Sequence, residues 1–383
     1  MAEKDDPRIK FGILGCISIA RLARAIASST SATLHAIASQ QQHSADEPAG
    51  FSPVEGVTAK KLYGSYEELL DDEEVDAVYV ALPTSRHARW AAEAARRGKH
   101  VMVEKPPALD LEALTEIVEA CEGSGVQFMD ATMWLHHPRT AAMKAFLSDQ
   151  EAFGEIKEMH TSVTFKVSPS FLKNDVRVKP DLDALGALGD AGWYCIGSIL
   201  WAADYRLPRT VTALPGTVFN EAGVIMSCGA SLQFGGSFVS TFQCSFLSSM
   251  TMDMVANGSK GSLRACDFVL PFDEARASYY TSSGAWFLEG LAGWAPSPVE
   301  HAVATDRQQV VFMVEEFSSL VKGIKRDGVK PDLKWPEISQ KTQLVVDKVK
   351  LSIDRGGGRQ CRNLIGLVLL VFFAIIVNFL FLL

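Results

Sequence analysis

Between Ile9 and about Leu147, short apolar runs of strand length alternate with stretches whose apolar residues recur at helical spacing. Lys10 to Leu14 reads as a strand, Ser18 to Ser28 as a helix and Thr33 to Ala38 as a second strand. A polar stretch, QQQHSADEPAGFSP, follows, then a short helix over Tyr66 to Leu70 and a third strand over Asp76 to Leu82. A helix over Ser85 to Arg97, a strand over His100 to Val103, a helix over Asp110 to Glu122 and a strand over Val126 to Asp130 complete the pattern. Such alternation predicts an α/β architecture: a doubly wound parallel sheet with helices on both faces.

After Phe153 the pattern changes. MHTSVTFKV, ASLQFGGSFVSTFQCSF and MTMDMVANGSKGSLRACDFVLPF alternate polar and apolar residues, and the last two are punctuated by glycine. They predict an α+β second half with a mainly antiparallel open sheet. A helix over Gly192 to Ala203 precedes those strands, and amphipathic helices follow over about Asp306 to Gly323 and Gln340 to Ile353. The last run, Leu364 to Leu383, reads LIGLVLLVFFAIIVNFLFLL. It carries no charge and, at about 1.5 Å per residue, is long enough as a helix to span a bilayer. Arg355, Arg359 and Arg362 precede it, so a C-terminal transmembrane helix is expected, a single-pass anchor with the body on the cytosolic side.

Composition changes this picture little. Over 383 residues the mean hydropathy is +0.09, and the apolar tail accounts for its positive sign. Lys and Arg total 37 against 45 Asp and Glu, with no basic stripe, so nucleic acid is not an expected partner. The N-terminus MAEKDDPRIK lacks the apolar core of a secretory signal. Seven cysteines are scattered without paired spacing, which argues against a disulfide framework or a zinc site. His87, His136 and His137 have no carboxylate or cysteine at ligand spacing, so no metal site is expected.

The candidate chemistry lies at three places. FGILGCISIARLARAI runs from strand through a glycine turn into a helix, where backbone N–H groups can bind a dinucleotide pyrophosphate. It places Gly15, Ile17 and Ala20 at the fingerprint positions, with Cys16, Ser18 and Ile19 between them, although the β-branched Ile17 stands where glycine is usual. Two neighbouring strands end in VALPTSRH and VEKPP, which puts Leu82, Pro83, Thr84, His87, Glu104 and Lys105 at the carboxyl edge of the sheet, where ligands bind. In LDALGALGDAGWYCIGSILWA, Asp190 and Tyr194 are four residues apart at the start of a helix and share one face.

Together these segments resemble the Gfo/Idh/MocA family, in the branch of dimeric dihydrodiol dehydrogenase and NADP-dependent D-xylose dehydrogenases. The resemblance runs from about Ile9 to Ile353; its hallmarks are Glu104-Lys105-Pro106 and the stretch Gly186, Gly189, Asp190, Gly192 and Tyr194. It implies a Rossmann-like dinucleotide-binding domain over 1–135 and a substrate-binding and dimerisation domain over 136–355; the residues that follow read, from their own charge and hydropathy, as a basic linker over 356–363 and the anchor over 364–383. It also implies hydride transfer between a nicotinamide and a hydroxyl or carbonyl carbon of a sugar, polyol, dihydrodiol or cyclic metabolite. Lys105 would orient the substrate oxygen and lower the pKa of Tyr194, the proton-exchanging group, and Asp190 would hold the substrate or tune the site. NADP is the expected cofactor, with NAD possible: Ser39 and Gln40 close the second strand without the acidic residue that NAD enzymes use, and Gln40 also replaces an arginine usual in this branch. Ser39, His43 or Lys60 are the candidates to compensate. A homodimer through the open sheet face is expected. Ile17 and Gln40 keep one alternative open: a membrane-tethered, non-catalytic binding or scaffold protein of the same fold.

Overall fold

The computed structural model describes residues 7–15, 19–39, 57–287, 294–356 and 361–362. The first half forms β1 (Ile9–Leu14), α1 (Ala20–Ser28), β2 (Ala32–Ala38), β3 (Lys61–Tyr63), α2 (Tyr66–Asp71), β4 (Ala77–Val80), α3 (His87–Arg96), β5 (His100–Val103), α4 (Leu111–Gly123) and β6 (Phe128–Asp130). Its six strands pair in parallel in the order β3-β2-β1-β4-β5-β6. Every residue of β4 and β5 is buried, as a parallel sheet covered on both faces requires. Ser65 and Asp110 cap α2 and α4 by accepting the N–H of Glu68 and Ala113. The strand order reverses between β1 and β4, which opens a crevice at their carboxyl ends.

The second half begins with α5 (Pro138–Ser148), β7 (Ile156–Thr164), α6 (Pro169–Asn174) and α7 (Gly186–Ala202). There follow β8 (Thr210–Ala213), β9 (Val218–Phe219), β10 (Ile225–Gln233), β11 (Val239–Ser245), β12 (Thr251–Gly258), β13 (Gly261–Ala265) and β14 (Arg276–Ser283). A short pair, β15 (Trp286–Phe287) and β16 (Trp294–Ala295), leads to β17 (Val299–Ala304), α8 (Gln309–Asp327), α9 (Lys334–Asp354) and β18 (Cys361–Arg362). The large sheet runs β17-β14-β13-β12-β7-β11-β10-β8-β18, with β9 beside β10. It is mixed, because β7 pairs with β11 in parallel while its other neighbour, β12, is antiparallel.

α7 starts six residues before the expected Gly192, and its glycines explain the difference. Gly186 has φ +56°, and a Cβ there would lie 2.2 Å from the Ile225 carbonyl oxygen. Glycine is unfavourable inside a helix in isolation, yet here it lets α7 press against the start of β10. All of α7 except Gly197 is buried, in a core shared with β7, β10, β11 and α9. α8 turns back to the first sheet, where Phe317 meets Phe11 at 5.8 Å between ring centres and Val310, Val314 and Val321 join the same core.

The expected transmembrane helix is corrected. Among the described residues no helix is long and apolar enough to cross a membrane, so the single-pass anchor, the membrane partner and the membrane localisation are not retained. The last described helix, α9, is amphipathic: Leu344, Val345, Val346 and Val349 enter the core while Lys350 and Asp354 pair at its surface. Leu364 to Leu383 lie outside the described residues.

Candidate active site

Gly15 ends β1 with φ +103°, and a Cβ on it would lie 2.3 Å from the carbonyl oxygen of Ala81, just beyond β4. Only glycine allows the chain to turn here so close to the neighbouring strand. α1 begins at Ala20, with Ile19 at its N-cap. Ser39 is buried at the carboxyl end of β2. Cys16, Ile17, Ser18, Gln40 and His43 lie outside the described residues. Lys60 does not reach this edge: it precedes β3, whose Lys61 is level with Ala36, and its ammonium pairs with Glu74 at 3.5 Å.

Beside that crevice lies a cleft of about 330 Å³. Leu82, Pro83, Thr84 and His87, after β4, and Glu104 and Lys105, after β5, line one side; Asp190 and Tyr194 of α7 line the other. Sequence positions 85 residues apart are thereby joined: the Lys105 ammonium bonds the Asp190 carboxylate and lies 3.3 Å from the Asp190 carbonyl oxygen. Asp190 is not a helix cap; it sits one turn inside α7, whose N-cap is Leu185. Glu104 accepts the Tyr79 hydroxyl and, at 2.9 Å, the Lys105 N–H. His87 is a clasp between the loops, with Nε2 2.8 Å from the Leu82 carbonyl oxygen and Nδ1 3.2 Å from that of Pro106. Burial pulls its pKa down to about 4, and a neutral ring carries a single N–H, so it donates to one of these carbonyls and only packs against the other.

Arg177 and Asp183 are among the lining residues missed by the sequence reading. Arg177, on the short turn Val176–Val178, reaches Asp190 at 3.7 Å, so that Asp190 stands between two cations. Asp183 precedes α7 and is buried. Both lie in a polar connection, NDVRVKPDLD, with no periodicity to mark them.

The charges act on one another. Burial opposes ionisation of Asp190, but Lys105 and Arg177 hold its carboxyl below the usual range. Burial lowers and the Asp190 charge raises the Lys105 pKa, and the charge wins. Tyr194 departs from expectation. Lys105 sits over its ring, 4.7 Å from the ring centre, and does lower its pKa, but burial together with Glu104 and Asp190 pushes the phenol up to about 12. The hydroxyl lies 3.5 Å from the Met133 sulfur. Asp183 is raised to about 7, by burial first and Asp190 second. Elsewhere, His35, Asp72 and Glu74 cluster with metal-like spacing, but the Lys61 ammonium already lies 3.1 Å from Asp72 and 3.0 Å from Glu74.

Comparison with known proteins agrees with this geometry. Residues 9–132 match the Gfo/Idh/MocA model described as an oxidoreductase family with an NAD-binding Rossmann fold, and residues 141–264 match the C-terminal domain of the same family. The chain is 30% identical to D-xylose 1-dehydrogenase (NADP(+)) 2 of Haloferax volcanii, over 59% of this chain and 64% of that protein. It is 28% identical to trans-1,2-dihydrobenzene-1,2-diol dehydrogenase of Sus scrofa, over 54% of this chain and 59% of that one. Each match thus spans less than two thirds of the relative's length. Among solved structures, a 3-ketoreductase from Actinomadura kijaniata in complex with NADP and TDP-benzene superposes with a TM-score of 0.75 at 24% identity, covering 90% of this chain and 98% of that one.

Proposed function

The chain belongs to the Gfo/Idh/MocA oxidoreductase family, and from that premise we propose that it is an NAD(P)-dependent oxidoreductase acting on a hydroxyl or carbonyl carbon of a sugar- or polyol-type substrate. The observation that carries the reading is the contact of Lys105 with Asp190 and with the Tyr194 ring in one cleft, beside the crevice at the strand ends. The crevice suits a dinucleotide: Gly15 leaves the backbone bare where α1 begins, and no acidic residue stands at Ser39, which favours NADP over NAD. Gly15, Ile19, Ala20 and Ser39 would hold the dinucleotide, with Leu82, Pro83, Thr84 and Glu104 along the adjoining cleft wall. A nicotinamide dinucleotide bound there supplies or accepts the hydride.

The protein's side chains do the rest. Lys105, fixed by Asp190, donates a hydrogen bond to the substrate oxygen and favours its negative charge. Tyr194 hands a proton to that oxygen during carbonyl reduction and takes it back during alcohol oxidation. A phenol held near 12 is a competent donor in reduction, whereas as a base it is scarce near neutrality; oxidation should therefore speed up with alkaline pH. His87 keeps the two cleft loops in register.

Titration with NADPH followed by nucleotide fluorescence, then NADP+-linked oxidation of a sugar and polyol panel, tests the reading. Turnover that falls at least about 100-fold in Lys105→Ala and Tyr194→Phe is expected. Full activity in both variants refutes the roles. Absence of binding to NADPH and NADH would favour a non-catalytic protein, the alternative that Ile17 and Gln40 motivate. The proposal includes a homodimer through the sheet face turned away from α7, where Val239, His160, Arg264 and Tyr280 are exposed; a concentration-independent monomer in sedimentation would contradict it.

A further inference from the structure

Asp183 has no part in the proton transfer described above, yet it is buried in the wall of the same cleft. Its Oδ1 has no hydrogen-bond partner, while the Thr84 hydroxyl bonds its carboxyl group. The backbone around it is fixed across the domain boundary, because the Ser85 N–H donates to the Leu182 carbonyl oxygen at 3.0 Å. A buried carboxylate oxygen without a partner costs stability, and such groups persist where a ligand completes them.

The charge balance says what kind of ligand. Lys105 and Arg177 are both engaged by Asp190, and Arg21 by Glu274 at 2.8 Å. With Glu104 counted beside Asp190, the central cations and anions of the cleft cancel when Asp183 is protonated, and one negative charge is left over when it is ionised. An anionic substrate therefore meets no excess positive charge, and a neutral one meets a carboxyl that needs a hydroxyl.

We propose that Asp183 is a specificity-determining residue, whose carboxyl takes the hydrogen bond of a second, unreactive hydroxyl, so that the cleft selects neutral substrates with at least two neighbouring oxygens over single alcohols and over sugar acids or phosphates. This rests on the oxidoreductase reading and narrows its substrate class. The groups facing Asp183 are Asp190 of α7, Lys105 after β5, Arg177 of the preceding turn and Thr84 after β4. Its pKa near 7 fits a group that can donate or accept according to the substrate.

The probes are trans-cyclohexane-1,2-diol against cyclohexanol, and D-xylose against D-xylonate, each with NADP+, on the full-length protein and on Asp183→Asn and Asp183→Ala. Wild type is expected to prefer the diol, and Asp183→Ala to raise the KM for diol and D-xylose about 10- to 100-fold with little change for cyclohexanol. Asp183→Asn, which keeps an acceptor oxygen, should fall between them. NADPH affinity and thermal midpoint, measured alongside, separate misfolding from altered recognition; if Asp183→Ala unfolds, the decision passes to Asp183→Asn. A wild type that turns over these probes with an unchanged diol-to-alcohol ratio in the variants, or that prefers D-xylonate, overturns the inference alone. A wild type that turns over none of them overturns the inference, and with no NADPH binding the oxidoreductase reading falls as well.

Discussion

Asp190→Asn separates the two jobs of that carboxylate. One turn of α7 puts the Cβ atoms of residues 190 and 194 about 6 Å apart; the phenol oxygen lies further out along its ring, so at an effective dielectric of about 20 the Asp190 charge is worth at most about 2.8 kcal/mol, or about 2 pK units. Asp190 raises the Tyr194 pKa, and Lys105 lowers it. Removing the carboxylate charge while leaving the ammonium should therefore lower Tyr194 from about 12 but leave it above an ordinary phenol, because burial, the largest cause, and Glu104 remain. Both partners are nearly inaccessible, so solvent screening reduces this little. The assay is kcat/KM for NADP+-linked oxidation of D-xylose between pH 6 and 10.5, because kcat/KM reports groups of the free enzyme, the state described here. Wild type should climb with unit slope to the top of that range. The variant should be slower overall, having lost the anchor of Lys105, but its profile should begin to bend over at a lower pH than that of wild type. A profile that shows no more curvature than that of wild type up to pH 10.5 would refute the electrostatic account while leaving Lys105 free to act in another way.

Other expectations concern stability. Gly15→Val, with φ +103° and a carbonyl oxygen 2.3 Å from the new Cβ, should lower unfolding free energy by at least about 2 kcal/mol in urea and weaken NADPH binding. Arg139 and Asp267 form a buried pair in which Arg139 also bonds the carbonyls of Ser278 and Phe268, so Arg139→Ala should cost about 3–5 kcal/mol; a loss under about 1 kcal/mol would show that the pair is not held as described. His100 accepts the Gln127 N–H on Nδ1 at 3.0 Å, and burial lowers its pKa from 6.5 to about 4. The unfolded chain then binds the proton first, so stability is full above about pH 6.5 and declines down to about pH 4, by about 3 kcal/mol for this group. His100→Asn should flatten that part of the profile, and an unaltered acid slope would count against it.

Most of the parallel sheet was legible because strands buried on both faces are continuous apolar runs, and His100–Val103 was placed to the residue. β3 was missed, since KLY is half exposed at the sheet edge and follows a polar stretch. Glycine propensity hid the first two turns of α7, where tertiary contact overrides an isolated preference. Lys105, Asp190 and Tyr194 could be named from motif resemblance, but the direction of the Tyr194 shift could not, because it depends on burial and on which cation faces which atom. Arg177 and Asp183 had no periodic or motif signal and become visible only when the connection before α7 folds over the cleft.

The chain of charges Lys105–Asp190–Arg177 is a poor source of stability. Burying three ions costs desolvation that their mutual attraction offsets only when the geometry is good, and apolar replacements of such groups are often neutral or stabilising. What the chain does is join the two halves: Lys105 follows β5 of the first sheet, whereas Asp190 and Arg177 belong to the second half. The ammonium can thus be aimed only when the halves are docked, and the aim depends on α7 lying close enough to the sheet for its glycines to be needed. Replacing Lys105 by Met should therefore abolish turnover and cost less stability than Lys105→Ala, whose shorter side chain leaves a void beside a carboxylate that Arg177 alone compensates at 3.7 Å. Equal unfolding free energies for the two variants in urea would show that the Lys105 stem contributes no packing at this junction.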